Sequence, residues 1–221
     1  MEAMGIIEFR NWFGLGDMAD EDVMVRVRDL DDSNSFALLE NRWRAPITRL
    51  CERMLGGDVH AGQDLTQETF VRLYSRRSSY QPRAKFSTYL WRIALNLCHD
   101  ELRRRSRRGE PRLSAGCDDE CLSAHEAEVH APGPDSTLIA HEHAEVVRDV
   151  LRSLSPAHRE VLVFRHFEGL KFREIAELLQ IPEGTVKSRM VEALDQAARC
   201  FEKRRRLPAR PGSGAAEDLN L

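Results

Sequence analysis

Apolar side chains recur at steps of three and four along much of this chain, and in two blocks the positions left over are more polar than packing requires. The first block runs from Asp64 to Arg108. Phe70, Leu73 and Tyr74 share one side of a helix expected to open near Asp64, which leaves Asp64, Glu68, Val71 and Ser75 facing outward. A second helix is expected from Phe86. There Phe86, Leu90, Ile93 and Leu97 repeat at four, three and four, a face for the core, while Arg92, Asn96, His99 and Arg103 form a separate polar stripe. Between the two lies a Pro-containing loop, Ser78 to Lys85.

The second block begins at Leu138. Ser155-Pro156 opens one helix and Gly169 follows its end. A second helix turns Phe172, Ile175, Ala176 and Leu179 inward, and a third opens at Pro182 with Val186, Met190, Ala193 and Ala197 inward. The tight turn from Gln180 to Gly184 and the small Ala176 at the crossing read as a helix-turn-helix. Its third helix points Thr185, Lys187, Ser188, Val191 and Glu192 outward, into a major groove.

Upstream, acidic residues from Asp20 precede an apolar run, Ser33 and Ser35 are candidate helix caps, and Gly56-Gly57 can stop a third helix. The expected fold is therefore all-α, with two small helical domains at 19–108 and 137–202. A flexible acidic linker at 109–136, punctuated by Pro111, Gly116, Pro132, Gly133 and Pro134, joins them. Residues 1–18 form an N-terminal extension without clear period, and 203–221 a tail expected to be disordered.

Bulk composition conceals the chemistry. The 221 residues carry a net charge of -3, yet Arg103, Arg104, Arg105, Arg107 and Arg108 sit together, and Asp118, Asp119 and Glu120 make the linker acidic. An arginine cluster exceeding what a helix C-terminus needs points to phosphate. In the loop, Ser78, Ser79, Tyr80, Arg83 and Lys85, with Tyr89 and Trp91 beyond, combine rings and cations as single-stranded nucleic-acid sites do. Trp91 lies between the two stripes of its helix, so core and stacking roles both stay open.

No apolar run approaches a membrane span or a signal-peptide core, so the expected location is cytoplasmic, without membrane insertion. The five cysteines, Cys51, Cys98, Cys117, Cys121 and Cys200, have no regular frame, and reduced thiols are expected. Cys117, Cys121, His125 and His130 are a candidate metal set in the linker, at spacings zinc can use, against the plainer reading of scattered thiols; no cofactor is assigned. No glycine-rich phosphate loop, GxSxG or HExxH occurs, and an enzyme is not expected.

The segment DLTQETFVRLY, the block FSTYLWRIALNLCHDELRRR, the acidic linker and REIAELLQIPEGTVKSRM, in that order, closely resemble the ECF (extracytoplasmic function) group of sigma-70 family factors. The resemblance implies a region 2-like bundle and a region 4-like helix-turn-helix. It further implies an alternative sigma factor that binds core RNA polymerase and recognises and melts promoter DNA. Asp64, Gln67, Glu68 and Val71 would dock on the β′ coiled coil. Ser78, Ser79, Tyr80, Arg83, Lys85, Tyr89, Trp91, Asn96, Asp100, Arg103 and Arg104 would serve the minus-ten element. Thr185, Lys187, Ser188, Arg189, Val191 and Glu192 would serve the minus-thirty-five element, with the β flap as a further polymerase contact and an anti-sigma factor as regulator. Where relatives carry arginines after SRM, this chain has Glu192, Ala193 and Leu194, and a carboxylate there favours a different base. The rival reading is a stand-alone helix-turn-helix regulator with a metal- or redox-sensing linker.

Overall fold

The structure, a computed structural model, describes residues 17–109 and 134–206. Among them it contains eight α-helices and no strand: α1 Asp20–Leu30, α2 Ser33–Met54, α3 Val59–Ser75, α4 Phe86–Arg107, α5 Pro134–Ser153, α6 Pro156–His166, α7 Phe172–Leu179 and α8 Glu183–Arg206. The metal set at 117–130 lies outside the described residues, as do most of the linker, the first sixteen residues and the tail beyond Arg206.

Local chemistry sets most helix ends. Asp32 caps α2 by accepting from the Asn34 N–H at 3.0 Å. This corrects the expectation that Ser33 or Ser35 caps: Ser35 is buried and its hydroxyl donates to Asp32 at 2.7 Å. Two helices, not three, fill this region, because α2 runs unbroken through Pro46 for 22 residues. It stops before Gly56 and Gly57, both at positive φ. α3 opens earlier than the pattern predicts, at Val59, because the Asp58 carboxylate accepts from the Ala61 N–H at 3.0 Å. α5 starts at Pro134, inside the stretch read as linker, and α8 continues to Arg206.

Phe86, Leu90, Ile93 and Leu97 are buried as their spacing predicts, and so are Trp91, Ala94, Leu95 and Cys98 on a second face of α4. That second face meets both α2 and the carboxy-terminal helices. Trp91 packs between Trp43 of α2 and Phe164 of α6, with ring centroids 6.1 and 5.9 Å away. One continuous core thus includes residues of both halves.

Polar contacts close the seam around that core. The buried Arg159 guanidinium donates to the carbonyls of Met54 at 2.6 Å, Leu151 at 2.7 Å and Leu154 at 3.0 Å. Arg152 donates to Gly56 O at 2.6 Å, and Arg53 meets Glu168 at 3.4 Å while lying over the Phe167 ring. His99 of α4 contacts the buried Glu160 of α6.

Candidate nucleic-acid interface

On α3 the outward residues keep the three-and-four register. Asp64, Gln67 and Ser75 are exposed, Val71 is 52% exposed despite being apolar, and Glu68 pairs with Arg72 at 2.8 Å. Val71 is thus a single apolar side chain on an otherwise polar outward face.

The loop before α4 is held at both ends. Arg28 of α1 donates to Tyr80 O at 3.0 Å, and Glu21 of α1 accepts from the Phe86 N–H at 2.6 Å. Gln81, Pro82, Arg83, Ala84 and Lys85 are all exposed between these anchors. Ser78 and Ser79 stand just before it in a short 3₁₀ turn, also exposed. Neither Arg28 nor Glu21 carries a motif that sequence could flag; the pairing exists only once α1 lies beside the loop.

Tyr80 departs from its expected stacking role, and Trp91, for which core and stacking roles both stayed open, lies in the core. Tyr80 is 1% exposed, edge-on to Phe86 and Tyr89, and burial pushes its hydroxyl pKa up to about 12. Trp91 is 7% exposed. Both rings therefore work in the core, because the loop's first residue serves as its anchor and α4 is buried on two faces. Tyr89 is half-buried and is the ring left near the surface.

Further along α4, Asn96, Asp100, Arg103 and Arg104 are exposed. Arg103 meets Asp100 at 3.6 Å and Arg104 meets Glu101 at 2.7 Å on their own helix, whereas Arg105 bonds both Glu101 at 2.9 Å and Asp58 at 2.8 Å, tying α4 to the start of α3. Arg107 and Arg108 remain exposed.

In the helix-turn-helix, Gln180 ends α7 in the left-handed region at φ 56, and Ile181 N–H returns to Ala176 O at 3.1 Å. Ile175, Val186, Met190 and Ala193 are buried as expected, and Leu178 joins them. Lys187, Ser188, Val191 and Glu192 are exposed, and Thr185 and Arg189 half-buried. Glu192 leans back to His158 of α6 at 3.0 Å. A cleft of about 880 Å³ separates α4 from this half, and Asn96, Arg103 and Arg189 line it together.

The chain matches the family models for sigma-70 region 2 over residues 40–108 and sigma-70 region 4 over residues 144–196. The ECF RNA polymerase sigma factor SigW of Bacillus subtilis is 34% identical over 162 residues, 72% of this chain and 84% of SigW. The chain belongs to the ECF sigma factors of the sigma-70 family. A second relative, the RNA polymerase sigma-H factor of Pseudomonas aeruginosa, is 30% identical over 80% of this chain and 93% of its own length.

Solved structures of similar fold include CnrH in complex with the cytosolic domain of CnrY, with TM-score 0.61 and 19% identity over 84% of this chain and 99% of that one. Another is the sigma factor RpoE of Bartonella quintana in complex with the anti-sigma factor NepR, with TM-score 0.57 and 17% identity over 76% and 96%. As an ECF sigma factor the protein directs transcription initiation, working with core RNA polymerase and promoter DNA. The region 2 match begins within α2, so the loop anchors Glu21 and Arg28 precede it. No helix among the described residues is long and apolar enough to cross a membrane.

Proposed function

We propose that this sigma factor divides its work between three surfaces. The α3 face of Asp64, Gln67, Glu68 and Val71 docks on the β′ coiled coil of core polymerase. The exposed loop Gln81–Lys85 and the α4 residues Asn96, Asp100, Arg103 and Arg104 take the minus-ten element and its displaced strand. Thr185, Lys187, Ser188 and Arg189 on α8 take the minus-thirty-five element, with the β flap as the region 4 contact on polymerase. The observation that carries the reading is the loop displayed between Arg28 and Glu21: a fully exposed segment on fixed anchors is pre-organised for a ligand outside the fold. Polymerase makes the phosphodiester bonds, no catalysis is assigned to this chain, and its place is the cytoplasm. A protein of the anti-sigma type is its proposed regulator, by analogy with the relative bound to NepR.

Run-off transcription by bacterial core polymerase on fragments of the gene's own upstream region tests this. Promoter-specific transcripts that vanish with Asp64→Arg plus Glu68→Arg are expected. Tight duplex binding by the protein alone, without core binding or transcripts, would sink the proposal in favour of a free-standing regulator.

A further inference from the structure

Resting on the minus-thirty-five reading of α8, we propose that His158 is a positioning residue for Glu192: it holds one carboxylate oxygen and leaves the other for a base edge, selecting cytosine at one position of that element. Three carboxylates, Glu183, Glu192 and Asp195, lie on the first half of α8. Glu183 pairs with Lys187 at 2.7 Å and Asp195 with Arg199, each one turn along the same helix. Glu192 is held from another helix instead, by the His158 ring of α6 at 3.0 Å.

The ring is itself fixed. Ser155 caps α6 and its hydroxyl accepts from the His158 N–H at 3.3 Å, which sets the backbone in the first turn. His158 Nδ1 lies 3.1 Å from Gln196 Oε1, and Gln196 stands one turn beyond Glu192 on α8. An amide can serve that nitrogen as acceptor or as donor, but a carboxylate only accepts, so Nε2 carries a proton and donates to Glu192 Oε2. The His158 side chain is 14% exposed and that of Glu192 63%, so the ring is packed while the carboxylate reaches outward. The contact uses Oε2 and leaves Oε1 for a ligand.

A group that only accepts reads donors. In the major groove cytosine offers its N4 amino group, adenine offers N6 beside the acceptor N7, and guanine and thymine present O6, N7 or O4, which repel a carboxylate. Cytosine is therefore the base that suits Oε1 best. A glutamate without a partner must order a long side chain on binding; the hydrogen bond from His158 supplies the rotamer in advance.

Two substitutions separate positioning from packing. His158→Phe keeps a ring in the same space and removes the donor, whereas His158→Gln loses the ring and places an amide N–H near the position of Nε2. Both are compared with wild type, Glu192→Ala, the double variant His158→Phe plus Glu192→Ala, and Lys187→Ala. The readout is transcription by core polymerase with each full-length protein from a promoter library randomised in the minus-thirty-five element.

Wild type and His158→Gln are expected to prefer cytosine at one position, and Glu192→Ala to lose that preference. His158→Phe should cut it about two- to tenfold, the worth of one side chain ordered in advance, and add nothing in the double variant. Full preference in His158→Phe overturns the proposal. Equal loss in His158→Phe and His158→Gln also overturns it, by making the ring a packing element, and a further shift in the double variant does so by showing that His158 acts on another residue. Lys187→Ala tests the underlying reading. Unchanged dependence on the minus-thirty-five element there removes α8 from that element and the proposal with it, whereas lost dependence with Glu192 and His158 both silent sinks the positioning role alone.

Discussion

The Arg159 guanidinium, 0% exposed, donates to the Met54 carbonyl 2.6 Å away and so ties α6 of region 4 to the C-terminal end of α2 in region 2. Among the described residues no carboxylate accepts from it. Its acceptors are backbone carbonyls at the ends of α2 and α5, groups that a helix leaves without internal partners. Burial lowers its pKa to about 10, which still leaves it charged at neutral pH.

Replacing Arg159 with Leu therefore strands several buried carbonyls at once. A loss of about 3 kcal/mol is expected, at 1 to 3 kcal/mol per unsatisfied group with partial relaxation. Urea unfolding followed by circular dichroism measures it. A midpoint equal to wild type would show that water replaces the guanidinium at no cost.

Asp58 caps α3 and holds Arg105 of α4 at 2.8 Å. Burial pushes its pKa up, but the Ala61 N–H and the Arg105 guanidinium outweigh that and hold it below the ordinary carboxylate value. Asp58→Ala should cost about 1 to 2 kcal/mol, the value of a lost cap. Asp58→Asn keeps most of the cap and removes the charge.

The pH dependence follows from the direction of that shift. With the folded pKa below the unfolded one, the unfolded chain binds more protons, so the charge contribution is present above the ordinary carboxylate range and fades as pH falls through the folded value. Glu101, lowered first by the Arg104 hydrogen bond and further by that from Arg105, has the same sign. The gap in unfolding midpoint between wild type and Asp58→Asn should shrink steadily below about pH 4. A gap constant with pH would contradict the assignment.

Gln180 holds a left-handed backbone at φ 56 in the turn between α7 and α8. Gln180→Gly should raise stability by about 0.5 to 1 kcal/mol, since relief of the Cβ clash exceeds the added chain entropy. Gln180→Val should lower it by more than 1 kcal/mol, because a β-branched residue resists this region. Thermal melts of the two variants must fall on opposite sides of wild type for this account to stand.

Glu192 is exposed on α8 with one carboxylate oxygen 3.0 Å from His158. Glu192→Ala should leave the melting temperature nearly unchanged and alter base preference at one minus-thirty-five position, a contact worth about 1 to 3 kcal/mol. Transcription from a randomised promoter library by the reconstituted holoenzyme reads this. An identical preference in both proteins would place Glu192 outside the DNA contact.

Much of this molecule was determined by the sequence alone. The four-three-four run from Phe86 to Leu97, the outward face from Asp64 to Val71 and the turn around Gln180 are local facts: a helix of fixed pitch sorts its residues before any partner arrives. Motif order added the family. The tertiary structure decided what depends on a neighbour. Trp91 and Tyr80 are core because α6 and α1 cover them, and nothing in their own segments distinguishes that from exposure for stacking. Arg105 reaches Asp58 on another helix while Arg103 meets only the exposed Asp100 of its own, although both belong to one arginine run. Arg92, Arg152 and Arg159 bond to backbone carbonyls across the seam, and a carbonyl looks the same at every position of a sequence. Docking of region 4 on region 2 was illegible largely for that reason: besides side-chain pairs such as Arg53 with Glu168, its polar partners are carbonyls at helix ends, which acquire their location only when the chain has folded.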